Sequence, residues 1–235
     1  MKMIQRIIGV LQGRYFALKM RFYGLLGLPA QNKMERQLFK EILESFKGKK
    51  IRIFEWGSGF SSIYFGRYLQ KRGLPFEWHS IDNNKIWHEK VKAMAKGRDL
   101  DSQMTFYLEA FPPFWEKPGW KTLPVESGAF APQSDQERAY IDFPARLHDK
   151  FDIVFIDARF RRRCLQTART VVAADGVVIM HDAQKAHYHP GMELFPFRTF
   201  ISSGTWYPLQ SLKNKVWVGS QTKGRVAQFT TSHEG

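Results

Sequence analysis

The chain has 235 residues and only one cysteine, Cys164. An intramolecular disulfide is therefore excluded, and so is a zinc site built from several cysteines. Long apolar runs are missing too. No stretch approaches the roughly 18 uninterrupted apolar residues of a membrane-spanning helix. There is no internal repeat and no low-complexity tract. The first 28 residues lack the pattern of an export signal: Arg6, Arg14, Lys19 and Arg21 interrupt the apolar pieces, and no small-residue cleavage site follows. With a single thiol, these features lead us to expect a cytoplasmic protein. Acidic residues are also scarce, 22 against 36 basic ones, for a net charge of +14.

Hydrophobic residues (43%) and charged residues (25%) stand in the balance of a soluble globular protein, which excludes disorder over most of the length. A chain this long buries a sizeable core and makes one domain with extensions. The charge is uneven. Residues 1–50 carry 11 basic and 3 acidic side chains, residues 51–150 carry 14 and 13, and residues 151–235 carry 11 and 6. Basic surplus at both ends fits an anionic partner, whether nucleic acid, phospholipid headgroups or an acidic substrate. A solvated basic surface fits equally well.

Residues 1–23 can be written as a basic amphipathic helix, with Ile4, Ile7, Ile8, Leu11 and Phe16 near one face. Asn32 is placed to cap a helix over 33–46, in which Met34, Leu38, Ile42 and Phe46 recur every four residues. We take 1–46 as a basic helical extension. Strand and helix signals then alternate: strands at 51–54, 76–81, 104–108, 151–156 and 177–180, helices at 61–70, 84–95 and 161–174. That order predicts a doubly wound α/β domain over 47–220, with a parallel sheet covered on both faces. Two further strand-like pieces, 205–209 and 215–219, predict an antiparallel edge hairpin. The polar residues 221–235 read as a flexible tail. Residues 111–149 break the alternation: they hold six of the eleven prolines together with Trp115, Trp120 and Tyr140. We read them as a lid-like insert at the C-terminal edge of the sheet.

The chemistry centres on residues 51–62, IRIFEWGSGFSS. A strand ends, Gly57 and Gly59 follow, and a helix opens with Ser61 and Ser62. Glycines there allow a tight turn and close backbone approach by a ligand, and the helix start offers free N–H groups. A dinucleotide fingerprint wants a third glycine or alanine where Ser62 stands. Glu55, two residues before the first glycine, would repel a pyrophosphate and attract an ammonium group. This favours a cofactor bearing an amino acid. The alternative is a glycine turn with a solvated glutamate. Asp82, with Asn83 beside it, ends the second strand 20 residues after Ser62, where an acid accepts bonds from both ribose hydroxyls of a nucleoside. It would equally cap a helix. Glu109 and Ala110 end the third strand near the place of a base edge.

Three segments carry a resemblance: Glu55-x-Gly57-x-Gly59-x-Ser61, the acid ending strand two, and FDIVFID over 151–157. Together they resemble the class I S-adenosylmethionine-dependent methyltransferases. The likeness spans about residues 45–220 and extends to AADGVVIMHD at 173–182. It implies a Rossmann-like seven-stranded sheet whose last strand is antiparallel, with helices before it. It implies S-adenosylmethionine as cofactor. Glu55, Gly57, Ser58, Gly59, Ser61 and Ser62 would lie around the methionine part and Asp82 with Asn83 at the ribose. Glu109 and Ala110 would meet the adenine, and Asp157 would lie beside the sulfonium. Trp56 and Ala158 depart from the pattern, which has a small residue and a glycine there.

Methyl transfer needs an aligned nucleophile and, where its proton must leave, a base. His181 is the candidate base, with an ordinary pKa near 6.5. The other reading of His181 is a core histidine. Asp182 would orient it. Asp157 and Asp182 also resemble the acid pair that holds a divalent ion in catechol-type and sugar O-methyltransferases, although Ala183 offers no third oxygen. We do not expect a required metal. Arg161 belongs to a run with Arg159, Arg162 and Arg163 that would select a carboxylate or phosphate. The expected activity is O-methylation of a small acidic or sugar-like acceptor. An RNA methyltransferase is the alternative enzyme, and a non-catalytic module at a membrane surface, bound through residues 1–23, is the alternative from another class.

Overall fold

The computed structural model describes residues 28–29, 31–111, 134–202 and 215–230. The proposed amphipathic helix over 1–23 lies outside them. The first described helix, α1 (Lys33–Glu44), starts as its sequence dictates. Asn32 Oδ1 accepts the Glu35 N–H at 3.0 Å, and Glu35 Oε2 accepts the Asn32 N–H at 2.8 Å. The two groups satisfy each other's orphan donors in a capping box.

The chain then alternates through β1 (Ile51–Trp56), α2 (Phe60–Lys71), β2 (Phe76–Asp82), α3 (Lys85–Lys96) and β3 (Met104–Leu108). It continues with α4 (Asp135–Asp142), a 3-10 turn (Phe143–Leu147), β4 (Phe151–Ile156), α5 (Arg161–Val171) and β5 (Val172–Met180). After these come α6 (His189–Met192), β6 (Phe197–Ser202), β7 (Lys215–Ser220) and α7 (Lys223–Thr230). The seven strands form one sheet in the order β3-β2-β1-β4-β5-β7-β6, with β7 antiparallel to both neighbours. The architecture is the expected Rossmann-like one. Strand order reverses between β1 and β4, and a doubly wound sheet opens its ligand crevice at the carboxyl ends of such a pair.

Both faces of the sheet are covered, so β1 is buried except at Arg52 and β4 is buried throughout. On one face Ile53, Trp78, Phe155 and Ile179 pack with Leu38, Ile42, Phe65, Val91 and Phe229. On the other, Phe54, Trp56, Val154 and Met180 pack with Tyr140, Leu165 and Met192.

Several sequence expectations change. Residue 46 is no packing boundary: Leu38, Ile42 and Phe46 share one core with Ile53 and Trp78, so α1 is part of the domain rather than an extension. The partner of β7 is Phe197–Ser202, and the expected strand at 205–209 lies outside the described residues. Within the insert, residues 112–133 also lie outside. Its second half is a helix, capped by Ser134 Oγ on the Glu137 N–H, whose Tyr140 and Ile141 are buried on the sheet. The tail is likewise structured over α7. Its polar composition hides two apolar residues three apart, Val226 and Phe229, both buried. Arg225 fastens the helix to the Ser45 carbonyl at 3.2 Å and to Asp175 at 2.9 Å. Among the described residues no helix is long and apolar enough to cross a membrane.

Candidate active site

The glycine turn is locked by the strands around it. Gly57 N–H donates to the Ile81 carbonyl at 2.9 Å, and Asp157 N–H donates to the Trp56 carbonyl at 3.1 Å. Gly57 has φ +92°, and a Cβ there would stand 2.4 Å from the Asp157 carbonyl oxygen. Both facts demand glycine. Gly59 differs. A Cβ there would meet only Ser61 Oγ at 3.8 Å and the Trp87 ring at 3.9 Å, ordinary contacts. A side chain there would rest on these two groups without displacing them. The Gly59 N–H donates to Ser62 Oγ at 2.9 Å. Trp87 supports the turn from α3, its indole N–H donating to the Ser58 carbonyl at 2.6 Å while Phe60 packs on its ring. Sequence reading missed Trp87, because its helical position carries no chemical signal.

Glu55 does not face the crevice. It is fully buried beneath the turn. Its Oε2 accepts from Ser62 Oγ at 2.5 Å, Ser80 Oγ at 2.9 Å and Trp78 Nε1 at 3.0 Å, and Oε1 lies 3.4 Å from the Ser61 hydroxyl. Burial pushes its pKa up to about 7 against these donors. The carboxylate expected to meet an ammonium group is thus occupied from below. The physical cause is register: Glu55 pairs with Ser80, and Trp78 and Ser80 project onto the same face of the sheet.

Asp82 lies at the end of β2, largely buried. Its Oδ1 accepts the Asn84 N–H at 2.8 Å, and Oδ2 lies 3.5 Å from the Ser58 hydroxyl. Burial raises its pKa against the Asn84 and Asn83 amides. The cap of α3 is Asn84, not Asp82. Asn83 Nδ2 donates to the Phe111 carbonyl at 3.3 Å. The Glu109 carboxylate pairs with Arg146 at 3.3 Å, leaving the exposed Ala110 beside it. Trp56, the departure from the family pattern, fits because its ring lies in the core and its indole N–H donates to the Tyr140 carbonyl at 3.0 Å.

Asp157, Arg161 and His181 meet at the ends of β4 and β5, joined by the bond from the His181 N–H to the Ile156 carbonyl. The Arg161 guanidinium donates to Asp157 Oδ1 at 2.7 Å, to the Ala158 carbonyl at 3.2 Å and to the His181 carbonyl at 3.0 Å. His181 Nδ1 stands 3.3 Å from Asp157 Oδ2 and 3.9 Å from Asp182 Oδ2, and its Nε2 stands 3.6 Å from Glu35 Oε1. Burial alone would raise the Asp157 pKa, but the His181 and Arg161 charges override it and hold the carboxyl at about 2. Burial would lower His181, yet Asp157, Glu35 and Asp182 carry its pKa well above 6.5. These carboxylates favour the protonated ring, whereas the expected general base is the neutral one. Arg161 is turned inward, with all three of its guanidinium nitrogens donating to the protein. Phe160 (φ 55°) and Asp182 (φ 52°) hold left-handed backbone on either side of this clamp, the kind of local strain that collects at functional edges.

A divalent ion does not fit this donor set. Asp157 Oδ1 is bonded to Arg161 and Oδ2 faces the His181 ring, Ala183 contributes no side-chain oxygen, and among the described residues no group of three or more His, Cys, Asp or Glu side chains is placed to hold a metal.

Comparison with known proteins agrees with this layout. A family described as "Methyltransferase domain" matches residues 54–183. The fold is similar to an O-methyltransferase from Bacillus cereus in complex with SAH (TM-score 0.54, 13% identity, 86% of this chain and 88% of that one). It is also similar to a putative caffeoyl-CoA O-methyltransferase from Staphylococcus aureus (TM-score 0.53, 12% identity, 91% and 96%). The spermidine synthase from Thermotoga maritima is longer: the chain covers 60% of it, at 12% identity and a TM-score of 0.49. No curated protein matches the sequence. The family match spans more than half of the chain and runs from the strand before the glycine turn to the end of the His181–Asp182 loop, so the chain belongs to this methyltransferase family and is a class I S-adenosylmethionine-dependent methyltransferase.

Proposed function

We propose that the enzyme methylates an oxygen of a small anionic acceptor such as a sugar acid or a phosphorylated metabolite. The observation that carries this reading is Arg159. Arg159 is partly buried, and burial lowers its pKa. Its electrostatic neighbours are Tyr140, Arg161, Asp82 and Tyr188, groups from both sides of the crevice. A partly desolvated guanidinium binds a carboxylate or phosphate through two parallel bonds.

We assign the cofactor to the same crevice. The backbone of Gly57, Ser58 and Gly59, with Ser61 and Ser62 at the helix start, takes its amino-acid part. Glu55 acts from beneath by holding Ser62. Asp82 and Asn83 take the ribose, and Ala110, rather than the Arg146-paired carboxylate of Glu109, takes the adenine edge. When bound, the cofactor supplies a methyl group on positively charged sulfur. Asp157 lies on the sulfur side, and we assign Asp182 the contact with the acceptor hydroxyl.

Calorimetry with S-adenosylhomocysteine, followed by a methyl-transfer screen over acidic and neutral acceptors, tests the reading. We expect binding that Asp82→Ala weakens at least about tenfold, the scale of one charge-assisted hydrogen bond. Arg159→Leu should raise KM for anionic acceptors alone. A preference for neutral acceptors would overturn the acceptor class, and transfer to RNA instead of small acids would favour a nucleic-acid substrate.

A further inference from the structure

Glu35 lies outside the matched family segment, on a helix whose residues were read from sequence only as an extension. It nonetheless reaches the active-site edge. One oxygen, Oε2, completes the α1 capping box, and the other, Oε1, stands 3.6 Å from His181 Nε2 with no hydrogen bond of its own. The side chain is almost wholly buried. A buried carboxylate needs a counter-charge, and among the described residues the start of α1 and the His181 ring face it.

The groups facing His181 come from every side: Glu35 from α1, Asp157 after β4 and Asp182 after β5. Arg161 of α5 holds its backbone carbonyl, and the ring of Tyr188 lies behind that guanidinium at 5.9 Å. A neutral imidazole has one donor and one acceptor nitrogen. With a carboxylate oxygen 3.3 Å from Nδ1 and another 3.6 Å from Nε2, a lone pair on either nitrogen would lie beside negative charge. Only the doubly protonated ring offers N–H on both sides.

We infer that Glu35 is a positioning residue of the transferase site: it clamps His181 from behind as a cation, and His181 together with Arg161 fixes the Asp157 carboxylate. The inference rests on the reading that the reacting groups meet at the Asp157 end of the crevice. Glu35 touches neither cofactor nor acceptor in this scheme and acts only through His181.

Glu35→Gln is the discriminating variant, because glutamine at this position still closes a capping box while its charge is gone. We expect kcat to fall at least about tenfold, the scale of a small misplacement of a reacting group, with the Kd for S-adenosylhomocysteine within about threefold of wild type. The same substitution in a His181→Gln background should add nothing, since the pair works as a unit. Wild-type 15N spectra at pH 7.5 should show both His181 nitrogens protonated. Additive losses in the double variant, wild-type kcat in Glu35→Gln, or a neutral His181 tautomer in the native protein would each overturn the inference. The spectrum needs neither a variant nor turnover. A neutral tautomer would therefore overturn the inference even if Glu35→Gln unfolds or the assigned acceptor proves wrong.

Discussion

Gly57 and the Asp157 carbonyl are packed so closely that a methyl group on the glycine would overlap the oxygen at 2.4 Å. The turn that opens α2 and the loop that follows β4 are therefore built against each other. Gly57→Ala should pay about 1–2 kcal/mol for left-handed backbone, with the overlap on top, and should lose cofactor affinity with it. Gly59→Ala should leave the melting temperature within about 2 °C of wild type, because its contacts are ordinary. It should still weaken S-adenosylhomocysteine binding. Thermal melts and calorimetry on the two variants check this, and wild-type affinity in Gly59→Ala would remove the turn from the cofactor site.

Glu55 predicts a pH dependence of stability. Its pKa is raised from 4.5 to about 7 in the folded protein. A raised acid favours the protonated folded state, so its contribution is fully present below pH 4.5 and is lost as pH rises through about 7. That interval corresponds to roughly 3 kcal/mol. Glu55→Gln removes the ionisation. Its stability relative to wild type should improve by up to this amount between pH 4.5 and 8, read from urea melts. A stability difference that stays constant over that range would contradict the buried, proton-holding role.

Asp157 predicts the opposite sign at lower pH. Held at about 2, it contributes stability that is present above 3.8 and lost as pH falls through about 2. Asp157→Asn leaves Arg161 and His181 facing each other without their shared anion. The expected loss is about 3 kcal/mol at neutral pH, measured by denaturant unfolding. The same occupancy by cations predicts that EDTA leaves turnover unchanged. Activity restored by magnesium after chelation would show that the ion pairs open to admit a metal.

Phe229 and Val226 predict that the last described helix holds the domain together. Phe229→Ala removes a buried ring from the core it shares with Leu38 and Ile53. The cost should be about 3–5 kcal/mol, seen as a fall in urea midpoint with unchanged slope. A wild-type midpoint would mean that the helix adds nothing to the fold.

Much of this was legible in the residues themselves. The alternation of periods placed the sheet and its helices, and the two glycines after a buried strand located the crevice, because each feature is local. Asn32 likewise declared the start of α1. What depended on distant partners stayed hidden. Glu55 reads as a ligand-facing acid until Ser80 and Trp78 are brought beside it on β2. His181 reads as a base with an ordinary pKa until Asp157 and Glu35, 24 and 146 residues away in the chain, close around it. The α7 helix looks like a tail because two apolar side chains among polar ones make a weak signal until a core exists to receive them. Phe197–Ser202 is hard to read from sequence because edge strands carry mixed residues and advertise themselves poorly.

The capping box of α1 has one more meaning. One oxygen of Glu35 begins this helix and the other faces His181, so one side chain joins the cap of α1 to the end of β5. Transplanting only the stretch that defines the family into another protein would carry over the cofactor turn and leave the imidazolium without its rear counter-charge. On the role proposed for Glu35, a transferable unit would begin at Asn32, upstream of Gly57.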